Sequence, residues 1–140
     1  MSTKQVFVCV KKDIQHPIGW ALKELDKLLA VKYFDTTKLL GTALANKQDC
    51  DVVILDSIMG DESTLGFAKE LKTGMPSLKI LLIASSGTTK QELVSIIQEK
   101  TANGVLMRPF TTEQVSDYMY KLCGLQKPSE TPWYMQTGLK

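Results

Sequence analysis

Four short apolar runs punctuate the chain, at residues 6–10, 52–55, 80–83 and 105–107, and a weaker one covers residues 31–34. Each is mostly aliphatic and bounded by charged or turn-forming residues. The apolar character is continuous instead of alternating, which is the pattern of strands buried on both faces. Between the runs the spacing becomes helical. Ile18, Ala21, Leu22, Leu25, Leu28 and Leu29 recur at three- and four-residue steps, the stripe of an amphipathic helix. Pro17 stands just ahead, suited to a first helical position. Leu39, Leu40, Ala43 and Leu44 give a shorter stripe, and Leu65, Ala68 and Leu71 a third. Thr89 followed by Glu92 has the pattern of a capping box, opening a helix through Leu93, Ile96 and Ile97. Thr111 with Gln114 repeats that pattern ahead of Val115, Tyr118, Met119 and Leu122. Gly124 falls where a helix C-terminal glycine belongs.

The order is strand then helix, five times over. This alternation predicts an α/β domain, a parallel five-stranded sheet with helices on both faces. After Gly124 the character changes. Residues 127–132 are polar and proline-rich, hence extended. Trp133, Tyr134 and Met135 follow. The reading is one domain over residues 1–124 and a C-terminal tail over residues 125–140. The tail either folds back on its domain or offers an aromatic anchor to a partner.

A chain of 140 residues is one ordinary domain, and its 44% apolar and 23% charged shares are those of a soluble protein. Seventeen basic against fifteen acidic residues leave a net charge of +2. That is too weak and dispersed to argue for nucleic acid or an anionic membrane, and the N-terminal apolar run is too short for a membrane span. Cys9, Cys50 and Cys123 are far apart with no CxxC among them. They read as reduced core hydrophobes of a cytoplasmic protein, without a disulfide framework or structural zinc. His16 is the single histidine, which argues against a zinc site and a Ser-His-Asp triad. No GxxxxGK[ST] or GxGxxG occurs. Ser85, Ser86, Gly87, Thr88 and Thr89 form a hydroxyl-rich loop, a turn with an N-cap or an anion site at a helix N-terminus.

In an open parallel sheet, ligands bind outside the carboxyl ends of the strands. The residues placed there are Lys11, Lys12 and Asp13; Asp56; Ala84 and Ser85; and Arg108, Pro109 and Phe110. Two stretches carry a resemblance. Residues 52–56 read Val-Val-Ile-Leu-Asp with Met59 three places on, and residues 102–110 read Ala-Asn-Gly-Val-Leu-Met-Arg-Pro-Phe. In this order within a (βα)5 pattern, about residues 4–124 resemble the receiver domain of two-component response regulators. The resemblance implies a flavodoxin-like doubly wound sheet of strand order 2-1-3-4-5. It also implies that Asp56 matches the aspartate that accepts a phosphoryl group from a histidine kinase. That chemistry uses a carboxylate nucleophile, a Mg²⁺ ion held by an acidic pair after the first strand, and a lysine on the phosphate. A hydroxyl after the fourth strand and a rotating aromatic on the fifth complete the family's switch.

Against that pattern the chain departs repeatedly. Lys11 and Lys12 replace the acidic pair, so repulsion replaces coordination. Asp13 lies one place further on and reaches the site only if the loop shifts. Arg108, beside Pro109, stands for the lysine and is not its equivalent in geometry. The hydroxyl position falls on Ala84 or Ser85, and the aromatic on Val105. Gly60 stands where the family commonly has proline, and Gly66 comes about two positions late.

The expectation is a degenerate receiver: not an enzyme, with no cofactor, acting through a protein partner without Mg²⁺-dependent phosphorylation. Asp56 would sit in a fixed ion-pair network with Arg108 and the ammonium of Lys11 or Lys12, or be a plain strand-end carboxylate. The expected contact face is the fourth helix, fifth strand and fifth helix, from Thr89 to Leu122, used by a partner or by a second copy in a homodimer. The alternative is a working phospho-acceptor at Asp56, served by a histidine kinase and using Asp13 or Asp61 with Asp56 to hold the metal. A flavin or cobalamin binder would need a phosphate loop where Lys11-Lys12-Asp13-Ile14 stands, or an Asp-x-His-x-x-Gly loop, which is absent.

Overall fold

A computed structural model describes residues 3–25, 27–46, 50–85 and 87–125. Ser86 and the expected tail beyond residue 125 lie outside these residues. The elements are β1 (Lys4–Cys9), α1 (Lys12–Lys23), β2 (Leu29–Tyr33), α2 (Thr37–Ala45), β3 (Val52–Asp56), β4 (Ile58–Met59), β5 (Glu62–Ser63), α3 (Leu65–Gly74), β6 (Lys79–Ala84), α4 (Lys90–Gln98), β7 (Gly104–Met107) and α5 (Thr112–Leu122). The five long strands form a parallel sheet in the order β2-β1-β3-β6-β7, which is 2-1-3-4-5 when only its own strands are counted. This is the expected flavodoxin-like arrangement.

Continuous apolar strands make sense once the faces are separated. Successive side chains alternate across a sheet. Val6, Val8, Ile54, Leu81 and Ile83 join Ile18 and Leu22 of α1 and Val115 and Met119 of α5 in one buried cluster. Phe7, Cys9, Val53, Leu55, Ile80 and Leu82 join Leu40 of α2, Ala68 of α3 and Ile96 of α4 in the other. Every residue of β3 is buried, whereas the edge strand β2 is exposed at Lys32 and Tyr33.

Several sequence readings shift. Helix α1 starts at Lys12, so Pro17 lies inside it and not at its first position. The reason is Ile14, which is buried and carries the stripe of Ile18, Ala21 and Leu22 back by one turn. The stripe also outruns the helix at its other end: Leu25 follows it, and Leu29 opens β2. Leu39 and Ile97, counted toward buried stripes, are exposed. Both capping boxes form, at Thr89–Glu92 and Thr111–Gln114. Gly124 has φ of +68°, and the N–H groups of Gly124 and Leu125 donate to the carbonyls of Lys121 and Tyr120, a Schellman close. Leu125, one residue past the expected boundary, packs against the core.

Strands β4 and β5 form an antiparallel hairpin that no periodicity announces. Its tip is Gly60 and Asp61, with φ of +57° and +64°, the positive pair that a two-residue type I′ turn demands. A proline, locked near −65°, has no access to the first of these values. The displaced Gly66 falls immediately beyond this hairpin, in the first turn of α3.

Candidate functional site

The site lies at the carboxyl edge of the sheet, where β1, β3, β6 and β7 end. Asp56 closes β3 opposite Ile83 of β6 and is only 1% exposed. Arg108 follows β7 directly, and its N–H donates to the carbonyl of Ala84 at 3.2 Å, carrying the ladder one step past the strand. The Arg108–Pro109 peptide bond is cis.

From there the guanidinium reaches across the sheet edge. Nη2 donates to Asp56 Oδ2 at 2.7 Å, and Nη1 donates to Asp13 Oδ2 at 2.8 Å. One rigid fork therefore joins two carboxylates from different strand ends, a geometry that a lysine ammonium does not offer. Two main-chain donors complete the Asp56 environment: Lys11 N–H to Oδ2 at 3.2 Å and Ile58 N–H to Oδ1 at 3.4 Å. The hydrogen bond from Arg108 holds the Asp13 carboxyl below the usual carboxylate range, against an opposing effect of burial. Burial works to lower the Arg108 value. The hydrogen bond to Asp13 and the charge of Asp56 outweigh it, and the net shift is upward.

The expected ammonium is not the partner. Among the described residues, the only cationic side chain within ion-pair distance of Asp56 is Arg108. Lys11 contributes its main-chain N–H, and Lys12 is exposed on α1. Asp13 reaches the site without any loop shift, because the arginine is long enough to come to it. Ala84 is fully buried and offers a methyl group. The Ser85 hydroxyl is turned to Thr88 Oγ1 at 3.1 Å, and the Ser85 N–H donates to Ser57 Oγ at 3.0 Å. Val105 is half-buried against the core face of α3 and α4. Asp61 stands exposed at the hairpin tip.

Two residues with a role here were not singled out from sequence. Thr64 is buried; its Oγ1 donates to the Asp56 carbonyl and its N–H to the Ser57 carbonyl at 2.9 Å. Ser57 is buried beside it. They close the β4–β5 hairpin directly onto the strand end that carries Asp56. A Ser and a Thr flanking a hairpin carry no periodic signal, so only the fold reveals them.

The two carboxylates nearest the strand ends, Asp13 and Asp56, are both engaged by the Arg108 guanidinium. Among the described residues no group of three or more His, Cys, Asp or Glu side chains is placed to hold a metal ion. Mg²⁺ is commonly held by one or two carboxylates and water, and a cation binding at Asp13 and Asp56 would compete with this guanidinium. Nor is any helix among the described residues long and apolar enough to cross a membrane.

This architecture is the receiver fold of response regulators. The isolated receiver domain of RcsB from Salmonella enterica serovar Typhimurium, with phosphomimetic BeF3⁻, superposes with a TM-score of 0.76 at 19% identity over 99% of this chain and 100% of that one. The beryllofluoride-activated NtrC4 receiver domain dimer gives 0.75 at 20% identity over 86% of this chain and 96% of that one. A response regulator from Thermotoga maritima gives 0.71 at 17% identity over 88% and 99%. At these identities the likeness is one of fold. No family model matches the chain, and no curated protein matches it.

Proposed function

We propose that this chain is a receiver-like signalling module of the cytoplasm that acts by binding another protein, and that it takes no phosphoryl group at Asp56 through Mg²⁺. The observation that carries this reading is the fork of Arg108 between Asp13 and Asp56. A cation belonging to the chain pairs with the carboxylate that Mg²⁺-dependent phosphorylation would use and with its acidic neighbour. Coordination of Mg²⁺ would require both carboxylates to leave a charge-assisted pair and tolerate two lysines beside them. No catalytic role is assigned.

The face expected to meet the partner has apolar side chains in solvent. On α4, Ile97 is 63% exposed and Val94 is also exposed, and Met107 stands out from the adjoining β7. Exposed aliphatic groups of this kind suit a protein contact. That contact joins the chain to its target or to a second copy.

The test is the intact mass after incubation with acetyl phosphate and Mg²⁺, beside an Asp56→Asn control. The expected result is no phosphoryl adduct on either protein. An adduct present on the natural chain and lost in the control overturns the reading and makes Asp56 a phospho-acceptor.

A further inference from the structure

A second surface lies apart from the α4–β7 face and abuts the Asp56 site only at Lys12, which stands between Lys11 and Asp13. Between α1 and the edge strand β2 runs an open groove of about 570 Å³, lined in part by Lys12, His16, Gly19, Trp20, Lys23 and Tyr33. Trp20 is 62% exposed and Tyr33 47% exposed. Among the described residues neither the indole N–H nor the phenol O–H has a hydrogen-bond partner. The Lys23 ammonium sits 5.4 Å from the Trp20 ring centre, a cation held over an aromatic face. Among the described residues no acidic side chain lines the groove, and Lys12 and Lys23 join no ion pair.

The floor of the groove is a helix-interior glycine. A Cβ at Gly19 would lie 2.9 Å from the Tyr33 hydroxyl, so a larger residue there would displace the Tyr33 side chain. Glycine is unfavourable inside a helix, and here it lets the Tyr33 ring lie against α1. What the groove offers is two aromatic faces, two lysines and two unpaired donors. Its ligand must supply apolar surface and anionic acceptors together. Two lysines on a chain of net charge +2 are few for a nucleic-acid backbone. The groove instead runs beside β2, which pairs only with β1 among the described residues. Such an edge accepts an extended peptide.

We propose that this groove docks an extended acidic segment of a partner protein carrying one large apolar side chain. The apolar side chain packs on Trp20 and Tyr33, the carboxylates meet Lys12 and Lys23, and the main chain lies along β2. The surface is separate from the α4–β7 face and does not depend on the state of Asp56.

The test is a ¹⁵N-resolved NMR titration with a short synthetic peptide of glutamates around a single phenylalanine. The same peptide with lysines for glutamates, and single-stranded oligothymidylate, serve as comparators. The acidic peptide should shift the signals of Gly19, Tyr33 and the Trp20 indole, and leave those of Val94, Ile97 and Met107 in place. Trp20→Ala should weaken its binding about tenfold or more, as loss of an interface anchor does. The pair Lys12→Glu with Lys23→Glu should transfer the preference to the lysine peptide. Both changes fall on exposed side chains, so the fold should hold. Absence of shifts, unchanged affinity in Trp20→Ala, or tighter binding of oligothymidylate overturns the proposal. Shifts of the same signals on concentrating the protein alone also overturn it, because the occupant would then be a second copy.

Discussion

Arg108 and Asp56 are 52 positions apart in the chain and joined at 2.7 Å, with Asp56 buried and Arg108 mostly so. Arg108 thereby ties the end of β7 to the end of β3 across β6, the strand between them in the sheet. Removing the guanidinium would leave a buried carboxylate with only two main-chain N–H groups. A buried charge stripped of its partner costs more than the pair itself contributes. Arg108→Ala should lower stability by about 3 kcal/mol, read as a shift in the urea midpoint. A midpoint that stays in place would mean that the Arg108–Asp56 pair contributes nothing net to stability.

The other arm of the fork predicts an effect confined to acid. The Asp13 carboxyl is held below its ordinary value of 3.8. A depressed folded-state value stabilises the fold above the unfolded value, and the contribution fades as pH falls through the folded one. Asp13→Asn should therefore be slightly less stable near neutrality and should converge with the natural protein as pH falls below 3.8 and through the lowered folded-state value. The difference should be small, because the Asp13 side chain is 63% exposed and solvent screens it. Urea midpoints measured across the acid range would show the convergence. Parallel curves would deny Asp13 any part in the network.

The three thiols predict chemical silence. Burial, with the charge of Asp56 behind it, pushes Cys9 up to about 12. Burial raises Cys50 to about 12 and Cys123 to about 11. All three are free. A thiol reacts as its thiolate, so at pH 8 the native protein should label slowly at all three positions with an aromatic disulfide reagent. The urea-unfolded protein should release three equivalents promptly. Fast labelling of the half-buried Cys50 alone would place its sulfur in open solvent.

Gly104 opens β7 beneath the ring of Tyr118. A Cβ there would lie 2.5 Å from Tyr118 Cε1 and 2.8 Å from Cδ1, closer than a side chain can approach without displacement. Gly104→Ala should destabilise by about 1–3 kcal/mol through overpacking. A double change with Tyr118→Leu should recover part of that loss. Thermal unfolding of the single and double variants would measure both.

Much of the fold was legible because the sheet is buried on both sides. The central strands β3 and β6 stand out as unbroken aliphatic runs, and both capping boxes are visible as residue pairs at fixed spacing. Edge strand β2 gave a weak signal for the same physical reason in reverse: Lys32 and Tyr33 face solvent and dilute its pattern. The start of α1 was misread because Pro17 suits a first position, while the buried Ile14 that extends the helix is one residue and no stripe. Hairpin β4–β5 has two residues in each strand, too few for any period, and only Gly60 and Asp61 hint at its turn. At the site, topology alone puts Asp56 and Arg108 on one edge. Which cation reaches the carboxylate depends on side-chain length and fork geometry, which spacing does not encode. Lys11 is the nearer residue along the strand ends, yet it supplies a main-chain N–H.

Arg108 is part of the polypeptide, so the positive charge between Asp13 and Asp56 arrives with translation and stays for the life of the molecule. No chelator strips it and no scarcity of ions empties it. On the function proposed above, such a protein has one setting. A cell could then vary its message only through the number of copies it makes, where it holds them, and how soon it degrades them.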